Sequence, residues 1–129
     1  MNPRIKETVV RIAVGMSGGV DSTMAAALLL EQGHDVLGLT MSMWDGAFPV
    51  PDRGRGCYGP GEPRMLERAR LAAARLGIAH KAVKVAGAFR AHVLDAAAAD
   101  YISGRTPNPC VLCNQHVKFK ALLEQAAAM

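Results

Sequence analysis

The sequence lacks any apolar run approaching the ~20 residues of a membrane-spanning helix, although half of its residues are hydrophobic. The first six residues, Met1 to Lys6, contain no hydrophobic segment of a secretory signal. We therefore expect a cytoplasmic protein with no membrane association. Cysteine is scarce. Three cysteines, an odd number, argue against a disulfide scaffold and indicate metal binding or thiol chemistry instead.

The charge balance is only mildly basic. A net charge of +4 and a pI near 9.3 permit a nucleic-acid partner without requiring one. The length of 129 residues suits one domain with a single core, but it is small for a complete enzyme.

A glycine-rich stretch separates a β-branched run at residues 8–14 from an Ala/Leu run that ends at Gly33. The first run predicts a buried parallel strand, and the second predicts a helix over residues 22–32 with Gly33 at its C′ position. Small residues between them let the backbone approach a ligand, and a helix start attracts anions. The sequence therefore predicts a phosphate-binding cradle formed by Gly15, Met16, Ser17, Gly18, Gly19, Val20, Asp21 and Ser22.

The type of cradle can be narrowed by what is missing. No lysine follows Gly19, which excludes a Walker A loop, and the glycine spacing does not fit a dinucleotide fingerprint. The segment from Ser17 to Ser22 resembles the PP-loop of the ATP pyrophosphatases, Ser-Gly-Gly-x-Asp-Ser. That resemblance implies cleavage of ATP between its α- and β-phosphates. The alternative is a glycine-rich turn with no ligand.

Residues 35–41 predict a second strand, so the first unit is βαβ, with a parallel sheet and ligands at the carboxyl edge of its strands. Met41 falls at that edge, where it could receive an adenine ring or be an ordinary core methionine. A third strand is predicted at about residues 79–85. Residues 44–61 form a predicted loop, functional or mobile, in which Arg53 and Arg55 could meet phosphates or stay solvated and Cys57 has no nearby partner.

One helix is expected before the third strand in the chain, and another after it. Pro63 at the first helical position opens one and Gly77 closes it, with a sheet-facing row of Met65, Ala69, Ala72 and Leu76. Another helix presents Phe89, Val93, Ala97 and Tyr101 on one face. His80 and His92 have no second ligand at metal spacing and are interpreted as surface or packing residues.

The second chemical segment spans residues 104–114. Pro107 and Pro109 predict an extended backbone, and a final helix is expected to begin near Asn114 and to run to about residue 128, with Phe119 and Leu123 inward. Cys113 would then precede a helix N-terminus, where the dipole lowers the pKa of a thiol. Cys110 and Cys113 have the spacing of a redox pair or of two metal ligands, with buried structural thiols as the alternative.

The two segments together, with Met41 between them and Lys118-Phe119 after them, are similar to the bacterial tRNA-specific 2-thiouridylases, which are tRNA-uridine 2-sulfurtransferases. This resemblance implies an α/β fold with a three-layer, Rossmann-like parallel sheet of the adenine nucleotide alpha hydrolase type, incomplete in this chain. It implies that ATP, with Mg²⁺, adenylates C2 of the wobble uridine in tRNA. Sulfur from a persulfide, supplied by a sulfur-donor protein, then displaces AMP.

The resemblance also implies residue roles. The cradle residues and Met41 would contact ATP, with Asp21 a possible Mg²⁺ ligand. The target base would meet Asn108, Pro109 and Cys110, and Cys113 would be the catalytic cysteine.

Two departures from the family pattern alter the expectation. Cys110 stands where many relatives have Asp, so that a thiol pair, or an iron–sulfur cluster held by Cys110 and Cys113, becomes conceivable. Residues 1–129 would be the N-terminal part of the ATP-binding domain, carrying the segment at 106–114 but without tRNA-binding and C-terminal domains. The remaining alternatives are another PP-loop sulfurtransferase or ligase, and a non-catalytic fragment that binds nucleotide, thiols or metal.

Overall fold

The computed structural model describes residues 8–52 and 58–129. The predictions for Arg53, Arg55 and Cys57 fall outside these residues. The strands are β1 (Arg11–Gly15), β2 (Asp35–Ser42) and β3 (Ala79–Lys84). Two regular helices are α1 (Val20–Glu31) and α2 (Glu62–Leu76). Two longer helices have a π-helical middle: α3 consists of Ala86–Phe89, Arg90–Leu94 and Asp95–Ile102, and α4 of Pro109–Cys113, Asn114–Ala121 and Leu122–Ala127.

The three strands form one parallel sheet in the order β1-β2-β3. Alternate residues of β2 point to opposite faces, as the pleat requires. Leu37, Leu39 and Met41 pack with the core formed by α3 and α4, whereas Gly38 and Thr40 meet Met16 on the other face. Helices therefore cover both faces of the sheet, which confirms the expected three-layer α/β arrangement.

β1 corrects the expectation of a buried strand. Ile12 and Val14 are half-buried, and Arg11, Ala13 and Gly15 are exposed. The reason is topological: β1 lies at one edge of the sheet formed by the described residues, while β2 occupies the centre and is the best buried strand. A β-branched run predicts a strand, but its position in the sheet decides how much of it is covered.

The helix α2 confirms its prediction closely. Its sheet-facing row is buried or half-buried, and Gly77 ends it with φ +71°. Pro63 takes the second helical position rather than the first, because Glu62 already belongs to the helix. The inward face also includes Ala73, which is fully buried beside Ala69 and Met16.

The start of α4 differs from its prediction. Asn108, not Asn114, is the N-cap, and its side-chain oxygen accepts the N–H of Val111 at 3.3 Å. Pro109 occupies the first helical turn, where a missing N–H costs nothing because that group has no partner in the helix. Cys113 therefore lies inside the helix rather than ahead of it.

The inward faces of the last two helices also differ from prediction. Phe119 and Leu123 are 71% and 67% exposed, and Tyr101 on α3 is 65% exposed. In α4 the buried positions are Cys113 and Val117. Both helices contain π-helical turns, which add residues to each turn and rotate the buried stripe away from the positions that a regular 3.6-residue period predicts. Within the residues that the structure describes, no helix combines the length and apolarity needed to cross a membrane.

Candidate active site

The turn between β1 and α1 has the geometry of a ligand cradle. Gly18 has φ +80°, a conformation that side chains disfavour. A Cβ built on Gly18 would lie 3.0 Å from Cβ of Arg68 and 3.1 Å from the carbonyl oxygen of Met65. Glycine is therefore required twice here, for its backbone angle and for the close approach of α2.

Hydroxyl groups order the rest of the cradle. The N–H of Ser17 donates to Oγ of Ser22 at 3.2 Å, and the N–H of Gly19 donates to Oγ of Ser17 at 3.3 Å. Thr23 donates its hydroxyl to the carbonyl oxygen of Gly19 at 2.8 Å. Gly19, the N-cap of α1, has an extended backbone and contributes no side-chain cap. The exposed N–H groups of the first helical turn are thus left for an anion.

A cavity of about 420 Å³ opens beside this turn. We call it the shared cavity, because it joins the cradle to the carboxyl end of β2 and to α4. Its lining comprises Gly15, Met16, Ser17, Leu39, Thr40, Met41, Met43, Met65, Lys118, Phe119 and Leu122. The wall is mainly apolar and rich in methionine, a side chain that adapts to the shape of its neighbour. Lys118 contributes a cation.

The structure brings some of the predicted nucleotide contacts together and separates others. Gly15, Met16, Ser17 and Met41 all line the shared cavity. Gly18, Gly19 and Val20 border a different hollow between α1 and α2, together with Arg68 and Arg75. Asp21 is exposed, and Ser22 is half-buried against Ser17.

The predicted cysteine pair is split between surface and core. Cys110 is exposed in the first turn of α4, as are its neighbours Asn108 and Pro109. Cys113 is only 5% exposed, and its Sγ atom lies 3.9 Å from Sδ of Met43. Because Met43 lines the shared cavity, the thiol of Cys113 lies directly behind the cavity wall.

A metal centre finds no support in residues 8–52 and 58–129. Nowhere in these ranges do three His, Cys, Asp or Glu side chains come together closely enough to hold a metal ion. The pair formed by Cys110 and Cys113 therefore has no third ligand among them, and the suggested iron–sulfur ligation stays a prediction from spacing.

The sequence analysis missed Glu62. Its side chain is 2% exposed and accepts hydrogen bonds from the hydroxyl of Ser42 at 2.6 Å and from the N–H groups of Met43 and Trp44, both at 2.8 Å. One carboxylate thus ties the end of β2, which carries the cavity wall, to the first turn of α2. The sequence offered only a weak signal, an acidic residue in a helical first turn.

A comparison with protein families finds one match that covers nearly the whole chain. Residues 10–129 match the model of a family described as the tRNA methyl transferase HUP domain. The match covers the cradle, the shared cavity and the cysteine segment. The chain belongs to this family.

Two curated relatives of this HUP domain carry the same name. The chain is 50% identical over 116 residues to a protein of Rhodospirillum rubrum named tRNA-specific 2-thiouridylase MnmA, a match that covers 90% of the chain and 30% of the relative. A protein of the same name from Magnetococcus marinus is 47% identical over 119 residues, with 92% and 32% covered. The chain therefore spans about a third of the length of these relatives.

Solved structures confirm the fold alone. The NMN synthetase of Francisella tularensis superimposes with a TM-score of 0.55 at 18% identity, covering 90% of this chain and 40% of that one. The NH3-dependent NAD synthetase of Campylobacter jejuni gives 0.53 at 20% identity, with 93% and 42% covered.

Proposed function

We propose that this chain is the ATP-binding, N-terminal part of a tRNA-specific 2-thiouridylase, a cytoplasmic enzyme that replaces the C2 oxygen of the wobble uridine with sulfur. The observation that carries the proposal is the shared cavity. It has the cradle at one side and, behind Met43 at the other, the thiol of Cys113. Nucleotide activation and sulfur chemistry need such neighbouring sites, because the activated base must meet the sulfur before water does.

The nucleotide is proposed to bind with its phosphates at the cradle and its adenine ring against Met41. Backbone N–H groups at the start of α1 favour the phosphate charge, and the mainly apolar lining of the shared cavity suits a purine. Lys118, which also lines the cavity, adds a positive charge. Asp21, exposed in the first turn of α1, is the proposed Mg²⁺ ligand, directly or through water, and the ion would neutralise charge on the phosphates.

The proposed reaction has two steps. First, O2 of the uridine attacks the α-phosphorus of ATP, the bond to the β-phosphate breaks, and pyrophosphate leaves. Second, the outer sulfur of the persulfide attacks C2, and the C2–O bond breaks with AMP as the leaving group. A second thiol, from the donor protein or another part of the full-length enzyme, then attacks the inner sulfur, the S–S bond to the base breaks, and 2-thiouridine leaves together with a disulfide that a cellular thiol reduces. Adenylation is needed because C2 of an unmodified uridine is a poor electrophile with a poor leaving group.

In these steps the exposed trio Asn108, Pro109 and Cys110 would meet the flipped-out base. Cys113 would handle the sulfur, delivered by a persulfide-carrying donor protein. Because its thiol is buried against Met43, sulfur transfer requires the first turn of α4 to open. The family description mentions methyl transfer, but the thiolation named for the curated relatives gives these two cysteines a use.

A second candidate is a nucleotide-binding domain in which Cys113 is only a core residue, which its burial favours. The two candidates are separated by a chimera in which residues 10–129 replace the matching part of the Rhodospirillum rubrum relative, with 2-thiouridine in tRNA measured by mass spectrometry. We expect Cys113→Ser to abolish thiolation and to spare pyrophosphate release. Retained thiolation in Cys113→Ser would remove Cys113 from sulfur handling, and an inactive parent chimera that releases no pyrophosphate would contradict the whole assignment. Glu124→Gln, at an exposed position of the same helix outside the proposed site, is the control and should stay active.

A further inference from the structure

A buried hydroxyl connects β3 to Met16, one of the cradle residues. Oγ1 of Thr40 lies 2.7 Å from the carbonyl oxygen of Met16 and 2.7 Å from Nε2 of His80, and Thr40 is 2% exposed. The N–H of Met16 in turn donates to the carbonyl oxygen of Leu39 at 2.7 Å. The backbone of Met16 is therefore held by β2 through both of its polar groups, immediately before Ser17.

The direction of this hydrogen-bond chain follows from counting protons. A carbonyl oxygen only accepts, so the single hydroxyl proton of Thr40 goes to Met16. Thr40 can then only accept from His80, which must carry a proton on Nε2. The chain therefore runs from His80 through Thr40 to Met16. Burial, and secondarily the charge of Arg70, lower the pKa of His80, which favours the neutral ring. The hydrogen bond to Thr40 then assigns the one proton of that ring to Nε2.

Packing keeps the three groups in register. Gly38 pairs with His80 across β2 and β3. A Cβ at Gly38 would lie 2.7 Å from Sδ of Met16 and 3.3 Å from Cδ2 of His80. Because Gly38 has no side chain, Met16 can pack beside the imidazole ring of His80. Any larger residue at position 38 would collide with Met16.

We infer that His80 is a positioning residue for the nucleotide cradle, acting through Thr40 on the carbonyl group of Met16 and so on the Met16–Ser17 peptide, whose N–H donates to Oγ of Ser22 within the cradle. This inference rests on the proposed function. The sequence analysis interpreted His80 as a surface or packing residue. In this inference His80 begins the relay, which is the hydrogen-bond chain from His80 through Thr40 to Met16, and the ligand would bind at the other end of that chain.

The test compares variants that keep or remove each donor in the full 129-residue chain. Thr40→Val and His80→Phe remove a hydroxyl and an N–H, whereas Thr40→Ser keeps the hydroxyl and His80→Gln offers an N–H in place of Nε2. We expect ATP affinity, measured by calorimetry, to fall about tenfold in the first pair, the scale of one hydrogen bond. The second pair should stay within about threefold of the wild type. Melting temperatures are measured in parallel. A purely structural role would lower the melting temperatures, but the ATP affinity would not differ between the variants that remove a hydrogen-bond donor and those that keep one.

A second measurement keeps this inference separable from the proposed function. Nitrogen-15 NMR should show His80 with its proton on Nε2, and Thr40→Val should shift the amide signals of Ser17 and Gly19 more than Thr40→Ser does. A proton on Nδ1 alone, or equal shifts in both variants, would overturn the relay whether or not ATP binds. If the wild type fails to bind ATP while the NMR result holds, the proposed function fails, and with it the link between the relay and a nucleotide.

Discussion

The Sγ atom of Cys113 lies 3.9 Å from the Sδ atom of Met43, a residue that lines the shared cavity, while Cys113 itself is only 5% exposed. The cysteine is thus close to the proposed nucleotide site and buried behind Met43. The proposed chemistry needs that shield to open, which has a measurable consequence for the reactivity of the two cysteines in α4.

The first prediction concerns alkylation. With limiting iodoacetamide, followed by peptide mass spectrometry, Cys110 should be modified at least about tenfold faster than Cys113, because the buried thiol reacts only when α4 opens locally. Met43→Ala should accelerate modification of Cys113 and leave that of Cys110 unchanged. Equal rates for the two thiols in the wild type would show that Cys113 is not shielded.

The second prediction isolates the crowding at Gly18. Gly18→Ala should cost more stability than Gly33→Ala, because both glycines have a positive φ, +80° and +84°, but only a Cβ at Gly18 meets other atoms. The conformational cost shared by the two is about 1–2 kcal/mol, and the excess for Gly18 measures how tightly α2 packs on the cradle. Chemical denaturation reports both values. An equal loss in the two variants would mean that α2 shifts away from Gly18 at no cost in stability.

The third prediction concerns the buried carboxylate of Glu62. Glu62→Ala should destabilise the chain by about 3 kcal/mol or more, because it leaves two backbone N–H groups and one hydroxyl without their acceptor. Glu67→Ala, on the exposed side of the same helix, removes only a surface pair with Arg70 and should change stability little. Similar losses in thermal unfolding of the two variants would contradict the role of Glu62 as a tie between β2 and α2.

The fourth prediction is a pH dependence from His80. Because burial and Arg70 lower the pKa of His80 in the folded chain, the unfolded chain takes up a proton first as the pH falls. The stability that neutral His80 contributes is complete above the pKa of an unfolded histidine, about 6.5, and declines as the pH falls below it. We expect the free energy of unfolding of His80→Gln, measured by chemical denaturation between about pH 5 and about pH 7, to change less with pH than that of the wild type. Parallel profiles would exclude this linkage.

Much of the fold was predictable because local patterns decided it. The sequence indicated the first βαβ unit, the C′ position of Gly33 and the sheet-facing row of α2, all of which depend on residues close in the chain. The start of α4 was not predictable from the sequence. Proline is both a helix breaker and a good first residue of a helix, and Asn108 and Asn114 are equally good N-caps by residue type. Only the packing of Cys113 and Val117 into the core decides between them.

The candidate site was predictable to a similar, uneven degree. The cradle motif is contiguous, so the sequence predicted its position between β1 and α1, and the strand edge predicted that of Met41, while the nucleotide contacts of both stay predictions. Glu62 and His80 were not recognised because their partners lie 18 to 40 residues away and are mostly backbone groups or a single hydroxyl. Such long-range hydrogen bonds leave no periodic trace in a sequence.

The most direct test of the central claim is calorimetric titration of ATP into the 129-residue chain, in the wild type, in Ser17→Ala and in Asp21→Ala. The cradle account predicts saturable binding that is lost in both variants while their melting temperatures stay near that of the wild type. Unchanged ATP affinity in both variants would contradict it.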